Sequence, residues 1–187
     1  MTSLAELWLP IVLSTVFVFI ASSIIHMVMP WHKGDFAKVP DEDGLRRAIG
    51  PMAIAPGDYM TPYCSSSKDM ATPEFKTKVT EGPVLLMTVR PNGNPSMTPM
   101  FIGWTLAILV ASVIVACVAG TAMPTGSDTQ RVWHITGLTA LGIYGFGGWP
   151  ESIWYGRKWS SAVKNTFDAL IYAVITALTF GWMWPAM

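Results

Sequence analysis

The sequence predicts an all-α fold: an integral membrane four-helix bundle with a proline-rich, mostly irregular cytoplasmic segment between its first and second helices. Three observations predict it. Apolar residues gather in four blocks, each near the ~20 residues needed to cross a bilayer's hydrocarbon core. Only 13% of the 187 residues are charged, against roughly 25% in ordinary soluble domains. The twelve Lys and Arg residues fall almost wholly in two of the connections between blocks.

The first block covers about residues 7–29, LWLPIVLSTVFVFIASSIIHMVM. It lacks the positive leader of a secretory signal and its apolar run is too long for one, so it reads as a retained span. The second, about 100–123, carries no charge. The third, about 132–148, is glycine-rich and bears His134 near its start. The fourth, about 167–184, holds one acid, Asp168, close to its beginning. The whole chain, 1–187, is expected to form a single membrane domain, with 30–99 as its cytoplasmic segment.

Orientation follows from the basic residues. Lys33, Lys38, Arg46, Arg47, Lys68, Lys76, Lys78 and Arg90 lie between the first two blocks, and Arg157, Lys158 and Lys164 between the last two. Arg131 alone falls in the remaining connection. Basic loops are retained in the cytoplasm, so both termini and the 124–131 loop are expected outside. Tryptophan placement agrees. Trp8, Trp133, Trp182 and Trp184 fall at the outer ends of blocks, and Trp31, Trp104, Trp149, Trp154 and Trp159 at the inner ends, where amphipathic rings prefer to sit.

Lipid removes the hydrophobic drive for helix association, so close packing of small residues must supply it. The fourth block carries Ala169, Ala173, Ala177 and Gly181 at every fourth position, and the second carries Ser112, Ala116 and Gly120. These seams point first to contacts inside the bundle, and otherwise to self-association or docking on another membrane subunit.

Ten of the fourteen prolines lie in residues 30–99, which forbids long helices there. Asp41-Glu42-Asp43 is placed to open a short helix running to about Ile49. Thr72 caps a second with Pro73 in its first turn and Gly82 at its end. Val84 to Val89 reads as a short strand, and Pro91 to Pro95 as a turn back to the membrane.

Ionisable side chains at membrane depth are costly, and each is a functional hypothesis. His26 near the inner end of the first span and Asp168 near the inner start of the fourth fall at one depth, with Asn165, Glu151 and His32 in the same layer. This cluster would relay protons or bind a cation from the inner side. The bland alternative is that Asp168 favours a helix N-terminus while His26 sits in a bundle contact near water. His26 and His134 lie most of the ~30 Å core thickness apart, so they share no haem iron. No paired His or Cys spacing points to a metal among His26, His32 and Cys64, and no cofactor is expected. Cys64 and Cys117 show no disulfide framework. Gly145-Phe146-Gly147-Gly148 ends a span instead of joining a strand to a helix, and Cys64-Ser65-Ser66-Ser67 lacks a nucleophile elbow. No enzyme is therefore read from the sequence.

Trp154-Tyr155-Gly156-Arg157, Lys164 to Asp168 and Phe180-Gly181-Trp182, with Gly57-Asp58-Tyr59-Met60 and Pro91-Asn92-Gly93, carry a resemblance over most of the chain. It resembles small, uncharacterised inner-membrane proteins of bacteria. The resemblance implies a bacterial inner-membrane location and no activity.

The expected function is non-enzymatic: an accessory, scaffold or assembly subunit of an inner-membrane complex. The competing class is a small proton- or cation-linked transporter or channel working through the inner-leaflet cluster. The expected partners are the lipid bilayer, other membrane subunits or a second copy. A net charge of zero gives no reason to expect nucleic acid. Alkaline phosphatase fused after Met187 is expected to be active and green fluorescent protein fused there dark, and the reverse pattern would invert the topology.

Overall fold

In the computed structural model, which describes residues 1–186, the chain is mostly helical. Helix α1 (Trp8–Ser23) runs directly into a π-helical turn, Ile24–Val28, and a 3₁₀ turn follows at Pro30–His32. The long connection then holds α2 (Glu42–Ile49), β1 (Gly57–Thr61), α3 (Ser67–Ala71), α4 (Pro73–Glu81) and β2 (Leu85–Val89). Helices α5 (Thr98–Ala122), α6 (Thr129–Gly145), α7 (Trp149–Tyr155) and α8 (Trp159–Trp182) complete the chain. Among the described residues, three helices are long and apolar enough to cross a membrane: Trp8–Val28, Thr98–Ala122 and Trp159–Trp182. Helix α6, within the third apolar block, has 17 residues.

The chain divides into two compact units, residues 1–37 with 96–187 and residues 38–95. In the first, α1, α5, α6 and α8 pack with alternating direction. At one end Thr2 donates from its backbone to the Gly120 carbonyl at 2.9 Å, and Trp184 Nε1 donates to the Pro124 carbonyl at 3.1 Å. At the other end Trp104 Nε1 donates to Ser22 Oγ at 2.8 Å, and Trp149 Nε1 donates to Thr166 Oγ1 at 3.0 Å. Leu7, Val115, Ala116, Val132, Ala173 and Phe180 make one core cluster, and Val18, Ile25, Ile108 and Tyr172 make a second. Val12, Val16 and Ile20 on α1 with Ile24 in the turn that follows, and Leu106, Val110, Ile114 and Val118 on α5, face outward and exposed at four-residue spacing. Leu170, Val174 and Leu178 do the same on α8. Such apolar outer stripes suit hydrocarbon, since lipid and core are alike to a leucine.

Small residues set the interhelical distance. A Cβ on Gly137 would stand 3.2 Å from that of Ala177, and one on Gly145 would stand 3.7 Å from that of Ala169. Gly181 leaves space that the Trp133 indole occupies, and Gly120 leaves space that the Thr2 carbonyl occupies. Ala169, Ala173 and Ala177 are buried where α8 meets α6. Ser112 and Ala116 are buried on α5, with Thr15 Oγ1 of α1 lying 3.5 Å from Ser112 Oγ.

Residues 38–95 hold more regular structure than the proline count suggests. Asp41 caps α2 by accepting from Gly44 N at 2.8 Å, and Thr72 caps α4 by accepting from Phe75 N at 3.3 Å. Gly82 ends α4 with φ +66°, a left-handed conformation that glycine adopts without strain. The strand read at 84–89 finds an antiparallel partner in β1, with Gly57 opposite Val89 and Thr61 opposite Leu85. That partner lies between Pro56 and Pro62, where proline punctuation conceals a five-residue strand from a sequence reading. No side chain of residues 38–95 is buried.

Gly181→Val is expected to destabilise the chain by about 1–3 kcal/mol through overpacking against Trp133. Gly142, where a Cβ meets nothing within 4 Å, is expected to accept alanine and gain up to about 1 kcal/mol from lower unfolded-state entropy. Unfolding in mixed micelles followed by circular dichroism checks both.

Candidate functional site

The end of the bundle where α1 finishes and α8 begins gathers the ionisable groups. β-branched Ile24 and Ile25 open the π-helical turn, and Pro30 forces Met29 out of helical conformation, to φ −75° and ψ 144°. The wider turn carries His26. π-Helical turns inside α-helices recur at functional sites because they re-aim side chains. The 3₁₀ turn that follows begins at Pro30, whose fixed φ suits a first helical position, and ends at His32.

The loop after His32 is fastened to α8 and to the connection before it. Trp31 packs edge-on against Phe167, with ring centroids 6.2 Å apart. Lys158 Nζ donates to the Gly34 carbonyl at 3.1 Å, and the Arg157 guanidinium stands 5.5 Å from the centre of the Phe36 ring. Lys164 Nζ donates to Asp35 Oδ1 at 2.7 Å. These four contacts set His32 over the first turns of α8.

His32 then lies between two carboxylates. Its Nδ1 is 2.6 Å from Asp35 Oδ2, and its Nε2 is 2.8 Å from Asp168 Oδ2. Asp168 is buried, with 4% of its surface exposed. His26 stacks on His32 with ring centroids 4.4 Å apart and brings its own Nε2 to 3.9 Å from Asp168 Oδ2. Ligand atoms of His26, His32 and Asp168 all lie within 4.8 Å of one another. Burial pushes the Asp35 carboxyl up, but the hydrogen bonds from Lys164 and His32 outweigh it and hold the group below the ordinary carboxylate range. Asp35 is therefore an anion at neutral pH.

A neutral imidazole has one N–H, so it can donate to only one of the two acids. Its other nitrogen then presents a lone pair to a carboxylate oxygen, which is repulsive. A proton shared between the two groups, or an ion held between Nε2 and Asp168, resolves the conflict.

Of the residues placed in this layer by sequence, His26, His32 and Asp168 converge. Glu151 is exposed in the first turn of α7. Asn165 turns its amide toward Gly148, 3.1 Å from where a Cβ there would stand. Among the described residues neither hydrogen-bonds to the cluster. Helical rotation explains Asn165: it lies on the α7 side of α8, whereas Lys164 and Asp168, four residues apart, share the face toward the loop. Asp35 and Lys164 were not singled out by sequence. A histidine followed three residues later by an acid, just past a Pro, was the available signal.

His134 sits in the second turn of α6, near the Trp133–Gly181 contact. From Gly181 back to Asp168 along α8 is about 20 Å at 1.5 Å per residue, which keeps the two histidines apart. An open groove at that far end is lined mainly by apolar side chains, among them Phe17, Trp133, Leu178 and Trp182. Cys64 and Cys117 are both free.

Comparison with family models, with curated proteins and with solved structures finds no match to this chain.

His32→Ala would leave buried Asp168 with only the more distant His26 beside it, and is expected to cost about 3–5 kcal/mol of stability. Lys78→Ala removes an exposed pair with Glu74 and is expected to leave stability unchanged, as exposed i,i+4 pairs usually do. Parallel unfolding curves in mixed micelles check the contrast.

Proposed function

We propose that this is a four-span membrane protein of the cation-linked transporter or channel class, with His26, His32 and Asp168 as its cation site. The observation that carries this reading is convergence. Two imidazole nitrogens and a carboxylate oxygen, contributed by a π-helical turn, a 3₁₀ turn and α8, meet within 4.8 Å. Ionisable groups within apolar spans are expensive to keep, and they mark ion and proton pathways in membrane bundles.

Hydroxyls inside the bundle support it. Tyr172 lies one turn along α8 from Asp168, and its ring packs edge-on against Tyr144 with centroids 5.5 Å apart. Among the described residues, the hydroxyls of Tyr172, Tyr144 and Ser14 are buried without a hydrogen-bond partner. Polar groups so placed carry a desolvation cost, and in a cation-linked protein they serve as stations for an ion or for water leaving Asp168.

The topology belongs to the same reading. In a bacterial inner membrane, eleven of twelve basic residues on two connections hold those connections inside, with both termini outside. The cation site then faces the cytoplasm. Helix α6 is the fourth span. Its 17 residues measure about 26 Å, slightly under the ~30 Å core. A small shortfall is absorbed by local thinning and by interfacial aromatics such as Trp133 and Trp149.

A second reading, an accessory or assembly subunit of an inner-membrane complex, is favoured by one observation. Residues 38–95 form three α-helices and a two-stranded antiparallel sheet yet bury no side chain, as suits a segment that lies on a partner. Stoichiometric partners recovered on purification from native membranes would favour it.

The transport reading is tested in liposomes containing the purified full chain, with Na⁺, K⁺, Mg²⁺, Mn²⁺ and Zn²⁺ offered in turn. Flux of at least one cation above protein-free liposomes is expected, falling about tenfold or more in His26→Ala and His32→Ala. Absence of flux for every cation would overturn transport.

A further inference from the structure

We infer that the cluster at the end of α1 is a binding site for a first-row divalent transition metal, with His26 Nε2, His32 Nε2 and Asp168 as its protein ligands and one position open. The inference rests on the reading of this cluster as a cation site and names the class of ion it takes.

Donor chemistry comes first. Two imidazoles and one carboxylate are the donor set of open zinc sites and of non-haem iron(II) sites. Calcium and magnesium prefer shells of oxygen, and here a single side chain supplies oxygen.

Spacing agrees. Two ligands each about 2.0–2.1 Å from a tetrahedral zinc stand roughly 3.3 Å apart. The Asp168 oxygen is 2.8 Å from one ring nitrogen and 3.9 Å from the other, so the pairs bracket that value.

A divalent metal at this point takes both imidazoles as ligands. The stacking of His26 on His32, with both Nε2 atoms turned toward one oxygen, is the arrangement a metal needs.

The surroundings fit as well. Metal-binding histidines usually give their other ring N–H to a carboxylate, which fixes the tautomer and raises basicity. Asp35 stands at His32 Nδ1 in that position, and Lys164 holds Asp35 in turn. Asp35 is thus a positioning residue. Access is provided by His26, whose side chain is 47% exposed beside a nearly buried Asp168.

The test uses the full chain in detergent, stripped with chelator and titrated with Co²⁺ and then Zn²⁺. One Co²⁺ per chain is expected, with the visible absorption of a four- or five-coordinate ion, displaced by Zn²⁺. His26→Ala removes an exposed ligand and is expected to abolish that spectrum while the chain stays folded, so the result does not depend on whether His32→Ala folds. Asp35→Asn is expected to keep the stoichiometry, shift the spectrum and weaken binding about 10–100-fold. A folded, monodisperse chain that binds neither Co²⁺ nor Zn²⁺ would overturn the inference, as would binding undiminished in His26→Ala. Mg²⁺ or K⁺ bound through these residues in place of Co²⁺ would overturn the metal class and keep the cation-site reading. Co²⁺ bound as described, without flux of any cation in liposomes, would uphold the metal site and overturn transport.

Discussion

The contact between His32 and Asp168 is the constraint around which one end of the bundle is organised. A nearly buried carboxylate in the third turn of an apolar helix is costly unless it is paired. Its partner comes from 136 residues earlier in the chain, so the turn after α1 must be held in place. Pro30 starts that turn, Trp31 packs on Phe167, and Lys158, Arg157 and Lys164 bind the loop that follows. Each contact is modest alone. Together they bring to one place an imidazole, its orienting acid and a second imidazole from the π-helical turn.

Elsewhere the bundle is held by space left empty. Glycine and alanine on α6 and α8 let two helices approach until Gly137 nears Ala177 and Trp133 fills the gap at Gly181. In lipid such approach replaces the hydrophobic drive of a soluble core, because dispersion contacts between backbones are what lipid tails cannot match. The large aliphatic residues are correspondingly turned outward on α1, α5 and α8.

The polar interior lies next to the acid end. Tyr172 and Tyr144 follow Asp168 into the bundle, and Thr15 approaches Ser112 between α1 and α5. Several threonines return their hydroxyls to the carbonyl four residues back, as Thr15, Thr136 and Thr176 do. Those are satisfied within their own helices. The tyrosine hydroxyls differ: among the described residues they have no such partner, and Tyr172 stands one turn from Asp168 along α8. The proposed cation site, with a polar interior behind it, ties the local chemistry to the proposed role in the membrane.

Much of this was readable in residue order. The apolar blocks gave the long helices because twenty consecutive apolar residues have few other uses. The helices α2 and α4 were legible from Asp41 and Thr72, since caps are local hydrogen bonds set by neighbours in sequence. His26 and Asp168 could be put at one depth by counting along two helices. Rotation about a helix axis could not be counted the same way, so Asn165 and Glu151 were grouped with the cluster although they face elsewhere. Strand β1 needed β2 to define it, because a strand's hydrogen bonds are made to another segment. The donor set needed the tertiary structure most of all. His26, His32 and Asp168 have no spacing that signals a metal, since two come from successive turns of different helical type and the third from a distant helix. Sequence by itself determined which segments are apolar and where their ends are charged, because those are properties of neighbouring residues. Only the packing of α8 against the turn after α1 decided that three ligands share one point, because that depends on how the helices are rotated and how the loop is tied down.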